Sequence, residues 1–216
     1  MSRHSSVTRV LESGLIAILR SDSPDKLISL CHGLHRGGIQ IIEITMTVPG
    51  ALDIIRQLHQ ELGSKVLVGA GTILDPETAR LAILAGAEFL VTPALNVETI
   101  QLANRYDKLI LPGILTPTEL VTALEAGASM VKLFPADAVG PTFLSALTRP
   151  FPQAMIVPTG GVTLDSLQAF VNAGAAAVGL ATSLIDQKLA QSGDAAEAER
   201  RARAFVAKYA EVRRKS

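Results

Sequence analysis

This chain of 216 residues has one cysteine, no tryptophan and few aromatic residues, 4% in all. A single cysteine cannot form an internal disulfide, and no signal-like apolar run precedes Glu12, so we expect a cytoplasmic protein. Twenty basic residues balance twenty acidic residues, which leaves no strong positive field for binding a nucleic acid or an anionic membrane. No stretch reaches the ~20 apolar residues that span a bilayer. The 48% of hydrophobic residues must therefore form an internal core.

Short apolar runs rich in Val, Ile and Leu recur and are nearly continuous, which is typical of parallel strands covered on both faces. They occupy residues 15–19, 39–44, 65–68, 88–91, 109–111, 130–134, 155–157 and 176–180. Helix start signals stand between them, at Pro24, Pro49, Asp75, Asn96, Thr116 and Thr163. One strand and one helix every ~20 to 25 residues predict an α/β protein with a (β/α)8 TIM barrel. We expect a single domain over residues 1–216 with extra terminal helices, one beginning near Asp194. A doubly wound open sheet is the alternative.

Two charged residues lie inside these apolar runs, Glu43 in the second and Lys132 in the sixth. A buried charge is costly unless it is paired or used. Side-chain alternation puts Glu43 on the face of Ile41 and Lys132 on the face of Met130, and strands two and six lie opposite one another in a barrel. Burial beside Phe134 lowers the pKa of a lysine and yields a neutral amine that attacks carbonyl groups. The pair predicts Schiff-base catalysis with Glu43 relaying protons; a structural ion pair is the alternative.

A glycine pair follows the seventh run, in the sequence Thr159-Gly160-Gly161, and the next helix is predicted to start at Thr163. Bare backbone N–H groups near a helix N-terminus bind anions. In TIM barrels the loops after strands seven and eight commonly bind phosphate, so the loop with Gly179, Thr182 and Ser183 is predicted to complete the site. The prediction is a phosphorylated small-molecule ligand; a tight turn without a ligand is the alternative.

Two other signals are weak. Gly69-Ala70-Gly71 resembles a dinucleotide-binding fingerprint, but Leu74 stands where its third glycine belongs. None of the four histidines lies at the end of a predicted strand, which makes a histidine base or a histidine-bound metal improbable. We therefore expect neither a cofactor nor a metal.

The order of the motifs resembles the KDPG/KHG aldolase family, the class I 2-dehydro-3-deoxy-phosphogluconate and 4-hydroxy-2-oxoglutarate aldolases. The residues that carry the resemblance lie at the strand ends over most of the chain: Leu15 to Arg20, Ile42-Glu43-Ile44-Thr45, Val68 to Thr72, Leu111-Pro112-Gly113, Val131 to Ala136 and Pro158 to Gly161. The resemblance implies a metal-free lyase, usually a homotrimer, that cleaves a 2-keto-3-deoxy-6-phospho sugar acid into pyruvate and glyceraldehyde 3-phosphate.

Carried over by position, Lys132 matches the family's Schiff-base lysine and Glu43 its acid/base. The expected substrate-binding residues are Arg20, Thr72, Pro93, Phe134 and Thr159. The expected phosphate-binding residues are Gly160, Gly161, Gly179, Thr182 and Ser183.

The chain departs from the family pattern at Thr47, where many members have an arginine, and at Ala181, where many have glycine. The first departure puts the identity of the substrate in doubt, and residues 139–147 resemble the phosphogalactonate branch. Two functions of other kinds stay open: a phospho-sugar isomerase or epimerase with Glu43 as base, and a non-catalytic phosphometabolite-binding barrel.

Overall fold

The computed structural model describes residues 2–63 and 65–214. Within them are nine strands and ten helices, which alternate along most of the chain. The strands are β1 (Leu15–Leu19), β2 (Ile41–Thr45), β3 (Leu67–Gly71), β4 (Phe89–Val91), β5 (Leu109–Leu111), β6 (Gly113–Ile114), β7 (Val131–Leu133), β8 (Ile156–Pro158) and β9 (Val178–Leu180). The helices are α1 (Arg3–Ser13), α2 (Pro24–Arg36), α3 (Ala51–Leu62), α4 (Pro76–Leu84), α5 (Val97–Arg105), α6 (Pro117–Glu125), α7 (Ala136–Thr148), α8 (Leu167–Asn172), α9 (Gln187–Ser192) and α10 (Ala195–Arg213).

All named strand pairs are parallel, which confirms the predicted α/β class. The strands form a curled six-stranded sheet in the order β5-β4-β3-β2-β1-β9 and a three-stranded sheet in the order β6-β7-β8. Pro112 separates β5 from β6, and proline has no N–H group to donate to a ladder. At the other junction, Thr159 and Gly179 form a parallel bridge and Ala176 N donates to Ile156 O at 2.9 Å.

Two apolar clusters lie on the two faces of the strands. An outer cluster, which includes Ile42, Ile44 and Val131, packs the strands against the helices. An inner cluster includes Ile41 and Met130, together with Val10 of α1. The sidedness predicted for β2 and β7 is therefore confirmed: Glu43 and Lys132 alternate with the outer residues and share the inner face.

Most helices begin where the sequence predicts. Asp75, Asn96 and Asp194 cap α4, α5 and α10 with their side chains, and Thr116 forms a capping box with α6. Thr163 and Ser166 exchange hydrogen bonds, Thr163 N to Ser166 Oγ at 2.9 Å and Ser166 N to Thr163 Oγ1 at 3.2 Å, which is the reciprocal pattern of a capping box. Leu167 N then donates to Thr163 O at 2.9 Å, so the predicted start signal at Thr163 is confirmed, while the continuous helix α8 begins at Leu167.

The last helix, α10, packs on α2 at glycines. A Cβ on Gly33 would overlap the Ala195 carbonyl, and one on Gly37 would overlap Ala202, so only glycine lets the two helices approach this closely. This contact places α10 outside α9 and the loop that follows β9. Across residues 2–63 and 65–214, no helix combines the length and apolarity needed to cross a membrane.

Candidate active site

Lys132 and Glu43 are buried on the inner face of the strands, with 4% and 2% of their surfaces exposed. Backbone pairing sets their heights: Glu43 is level with Ile18 on β1 and Gly69 on β3, and Lys132 with Gly113 and Val157. Glu43 Oε1 is a buried acceptor with no hydrogen-bond donor among the described residues. A buried carboxylate oxygen without a donor is costly, which favours the protonated, neutral form of this group.

Burial perturbs the pKa values of both groups. Burial raises the pKa of Glu43 above its ordinary value, and the positive charges of Lys132 and Arg20 partly oppose that rise. Burial also lowers the pKa of Lys132; the Glu43 carboxylate opposes this change and the Arg20 guanidinium adds to it. Each shift increases the neutral form of the group. The direction of each shift favours a neutral amine at Lys132, the form that attacks carbonyl groups, and a protonated carboxyl group at Glu43.

Two glycines on β3 leave space for side chains of neighbouring strands. A Cβ on Gly71 would overlap the Glu43 carboxylate, and a Cβ on Gly69 would overlap the ring of Phe89. The next residue, Thr72, has a left-handed backbone with a φ of 57°, which is uncommon for a residue other than glycine. The Gly69-Ala70-Gly71 segment thus serves the interior of the sheet, in agreement with the rejection of a dinucleotide fingerprint.

A cavity of about 310 Å³ opens above the lysine. It brings together eight of the predicted site residues: Arg20, Lys132, Phe134, Thr159, Gly160, Gly161, Thr182 and Ser183. Lys132 Nζ lies 4.7 Å from the centroid of the Phe134 ring. The amine and the glycine-rich loops therefore face one enclosed space.

One side of this cavity is rich in free backbone donors. The N–H groups of Gly161, Thr182 and Ser183 donate to no acceptor among the described residues. The N–H group of Gly160 belongs to the parallel bridge between Thr159 and Gly179. Gly160 and Gly161 both have positive φ angles, 97° and 66°, which glycine adopts readily. Gly160, Gly161, Thr182 and Ser183, here called the anion cradle, lie away from the first residue of α8, which is Leu167.

Four predicted residues do not line the cavity: Glu43, Thr72, Pro93 and Gly179. Glu43 lies outside the lining of the cavity, but the charge of Lys132 opposes the rise of its pKa that burial causes. Gly179 lies behind Thr159, whose side chain would overlap a Cβ at that position, so Gly179 makes room for Thr159. The backbone of Pro93 packs against Gly113, and next to it Thr92 Oγ1 donates to Ala94 O at 2.6 Å and accepts from Gly113 N at 3.1 Å.

Arg20 lies at the end of β1 and donates no hydrogen bond to any of the residues that the structure describes. Its charge reaches both buried groups. It borders a second cavity of about 280 Å³ with Ser21, Ser23 and Gln191. At the departure from the family pattern, the Thr47 hydroxyl lies 2.8 Å from the Thr45 hydroxyl, which also donates to Leu19 O at 3.2 Å. The two threonines bond to each other and add no cation to the site.

Sequence reasoning missed Asp137, the acidic residue in the first turn of α7. Its carboxylate packs against Gly160 and Gly161 and lines the cavity. An acid at this position also favours a helix start, so its sequence signal is indistinguishable from that of a residue stabilising the helix dipole. No cluster of three or more potential metal ligands occurs in the described part of the chain.

Comparison with known proteins agrees with this geometry. Residues 7–201 match the family model described as KDPG and KHG aldolase. The 2-dehydro-3-deoxy-6-phosphogalactonate aldolase of Escherichia coli is 36% identical, over 92% of this chain and 95% of that protein. The 2-dehydro-3-deoxy-phosphogluconate aldolase of Pseudomonas aeruginosa is 33% identical, over 94% of this chain and 92% of that one.

Solved structures show the same relationship. A native KDPGal structure superposes with a TM-score of 0.86 at 34% identity, covering 93% of this chain and 96% of its own. A KDPG aldolase from Legionella pneumophila, with pyruvate captured as a covalent carbinolamine, gives a TM-score of 0.83 at 25% identity, covering 88% of this chain and 92% of its own. Family model, relatives and structures agree: this chain belongs to the KDPG and KHG aldolase family.

Proposed function

We propose that the protein cleaves a 2-keto-3-deoxy-6-phospho sugar acid into pyruvate and glyceraldehyde 3-phosphate. The family consists of class I aldolases, which work through a Schiff base. The observation that carries the proposal is the placement of Lys132: a buried amine with a lowered pKa faces a cavity whose other side holds three unused backbone donors. A keto acid with a phosphate at its far end matches both features.

The proposed reaction begins at the Lys132 amine. Neutral Nζ attacks the C2 carbonyl to give a carbinolamine, and loss of water leaves a protonated imine. Glu43 accepts the proton of the C4 hydroxyl through a bridging water while the C3–C4 bond breaks, and the bonding electrons move into the imine to form an enamine. Glyceraldehyde 3-phosphate leaves as the aldehyde product. Protonation of the enamine at C3 and hydrolysis of the resulting imine release pyruvate and restore the amine.

The remaining residues are proposed to bind the substrate. Gly161, Thr182 and Ser183 hold the phosphate through backbone N–H groups, and Gly160 forms the turn that lies against it. Thr72 and Thr159 border the pyruvyl part, and Arg20 binds a substrate anion through paired donors. Phe134 packs beside the reacting lysine, Pro93 shapes the rim, and Gly179 accommodates Thr159. With Thr47 replacing a cation, the pyruvyl carboxylate relies on Arg20 and on polar groups near Thr72.

The direct test is a pyruvate-release assay with the phosphogluconate-type substrate, its phosphogalactonate-type C4 epimer and unphosphorylated 4-hydroxy-2-oxoglutarate. We expect turnover of a phosphorylated keto acid with a lower KM than that of 4-hydroxy-2-oxoglutarate, because only the phosphorylated substrate has a phosphate group that accepts hydrogen bonds from the anion cradle. Equal KM values would contradict phosphate binding at this site. No turnover of any of the three would contradict the proposed function.

We further infer that the two sheets complete one closed (β/α)8 barrel, with β5 and β6 as a single strand interrupted at Pro112. Lys132 N donates to Pro112 O at 2.9 Å, so the interruption is itself paired with β7, and the Thr159–Gly179 bridge supports closure at β8 and β9. The single-domain organisation and the cytoplasmic location stay predictions.

We also propose a homotrimer. Helix α4 exposes Leu81 and Leu84 on one face, to 52% and 63%, and large exposed apolar side chains of this kind favour a protein contact. Light scattering is expected to give three times the chain mass, and Leu81→Glu with Leu84→Glu is expected to give the monomer. Leu164→Glu, at an exposed leucine elsewhere, is the control and leaves the mass unchanged. A monomeric wild-type protein would contradict the proposal.

A further inference from the structure

The loop that carries the second half of the anion cradle is short and has little internal bonding. Residues 181–186, here called the β9 loop, connect β9 to α9. Within it, Leu184 N and Ile185 N donate to Ala181 O at 3.0 and 2.9 Å. Those two bonds form one turn. The position of the Thr182 and Ser183 amides therefore depends on contacts with other parts of the chain.

The first outside contact faces the cavity. Ser183 Oγ donates to Val162 O at 2.6 Å, which ties the β9 loop to the turn that holds Gly160 and Gly161. This bond joins the two halves of the cradle. It does not fix the cradle relative to the surrounding helices, because Val162 itself lies in a loop.

The second outside contact comes from α10, behind the loop. Arg201 Nη1 donates to Asp186 Oδ2 at 2.9 Å and to Leu184 O at 3.4 Å. Arg201 Nε donates to Glu197 Oε1 at 2.8 Å, so the guanidinium is held by its own helix while it binds the loop. Asp186 Oδ1 accepts from Leu189 N at 2.8 Å and caps α9. The bond to Leu189 N and the bond from Arg201 both lower the pKa of Asp186, which keeps it charged.

We propose that Arg201 is a positioning residue for the substrate phosphate, acting through the β9 loop. The inference rests on the proposed function and adds a residue to it. Arg201 does not line the cavity; it joins the C-terminal end of the β9 loop to α10, which packs on α2. The Arg201 guanidinium donates on one side to Glu197 and on the other to Asp186 and Leu184. It therefore fixes both the distance and the orientation of the β9 loop relative to α10. Without it, the Thr182 and Ser183 amides lose their alignment with Gly160 and Gly161.

The same helix supplies a matched control. Arg203 pairs with Glu199 four residues earlier, and its side chain is 64% exposed, compared with 25% for Arg201. Arg203 Nη2 donates to Glu199 Oε1, and Arg203 makes no hydrogen bond to the β9 loop among the residues that the structure describes. Arg203→Met therefore removes an arginine and an ion pair from α10 and leaves the loop contacts in place.

The experiment compares two activities of the full-length protein. One is the KM for the phosphorylated keto acid in the cleavage assay. The other is exchange of the methyl protons of pyruvate with deuterated water, followed by NMR, which needs imine and enamine formation and no phosphate. We expect Arg201→Met to raise the KM roughly ten-fold, as expected for loss of a positioning contact, and to leave the exchange rate within a factor of two. Arg201→Lys, which keeps the charge and loses the fork, should fall between Arg201→Met and wild type.

The outcomes are distinct. Arg201→Met with a wild-type KM, or with KM and exchange rate impaired equally, overturns the positioning role. The same rise of KM in Arg203→Met overturns it as well. If Arg201→Met does not fold, Asp186→Asn, which keeps an oxygen for the α9 cap, takes its place with the same expected results. A wild-type protein without pyruvate exchange would instead refute the proposed function.

Discussion

Replacing Gly71 with alanine tests how closely the Glu43 carboxylate must be held. The backbone of Gly71 lies outside the left-handed region, so alanine fits it without strain. The new methyl group, however, would overlap Oε1, Cδ and Cγ of Glu43. These atoms are the far end of a flexible side chain, so we expect the carboxylate to move by about 1 Å while the strand stays in place. A displacement of that size costs roughly 10²-fold in rate.

The assay measures kcat for pyruvate release, together with thermal unfolding and borohydride trapping of pyruvate. Gly71→Ala should lower kcat roughly 100-fold, with Tm almost unchanged and with the lysine still trapped, because Lys132 is not displaced.

Gly69→Ala is the matched control on the same strand and the same face. Its nearest atoms belong to the Phe89 ring, so overpacking should lower stability by about 1–3 kcal/mol with a much smaller effect on kcat. Equal losses of kcat in the two variants, or a Gly71→Ala variant within threefold of wild type, would refute the role of the Glu43 position.

Three further predictions concern the buried pair. Arg20→Gln removes a charge that lowers the pKa of Lys132, so the pH midpoint of imine trapping should move to higher pH. Glu43→Gln removes a charge that raises the pKa of Lys132, so the pH midpoint of imine trapping should move to lower pH. In the same variant, kcat for cleavage should fall by at least ~10²-fold. Midpoint shifts in the same direction in Arg20→Gln and Glu43→Gln would contradict the charge assignments. Replacing the pair with Lys132→Met and Glu43→Leu should abolish trapping and leave the free energy of unfolding unchanged or raised by about 1–4 kcal/mol in urea titrations; a large loss of stability would indicate a structural ion pair.

Much of the fold follows from the sequence because strands and helices are set by local patterns. The continuous apolar runs of parallel strands, and the Asp, Asn and Thr caps, require no knowledge of distant residues. The inner placement of Glu43 and Lys132 follows from strand alternation alone. The capping of the turn before α8 by Thr163 and Ser166 is local as well, whereas the position from which α8 is continuous, Leu167, is not set by that cap.

The candidate site is less predictable where it depends on contacts between distant segments. The sequence indicates glycines at positions 69 and 71, but only the packing shows that they accommodate Phe89 and Glu43. Arg201 is one of several arginines in α10, and its contact with Asp186 depends on how α10 lies against the barrel. The left-handed backbone of Thr72 likewise has no local signal, since residues other than glycine rarely adopt it.

Reduction of a pyruvate imine tests the central claim most directly. The protein is incubated with pyruvate and sodium borohydride, and the modified residue is located by peptide mass spectrometry. The account predicts one reduced pyruvyl adduct on Lys132 and none in Lys132→Ala. A folded wild-type protein without an adduct, or with the adduct on another lysine, would contradict Schiff-base chemistry at this site.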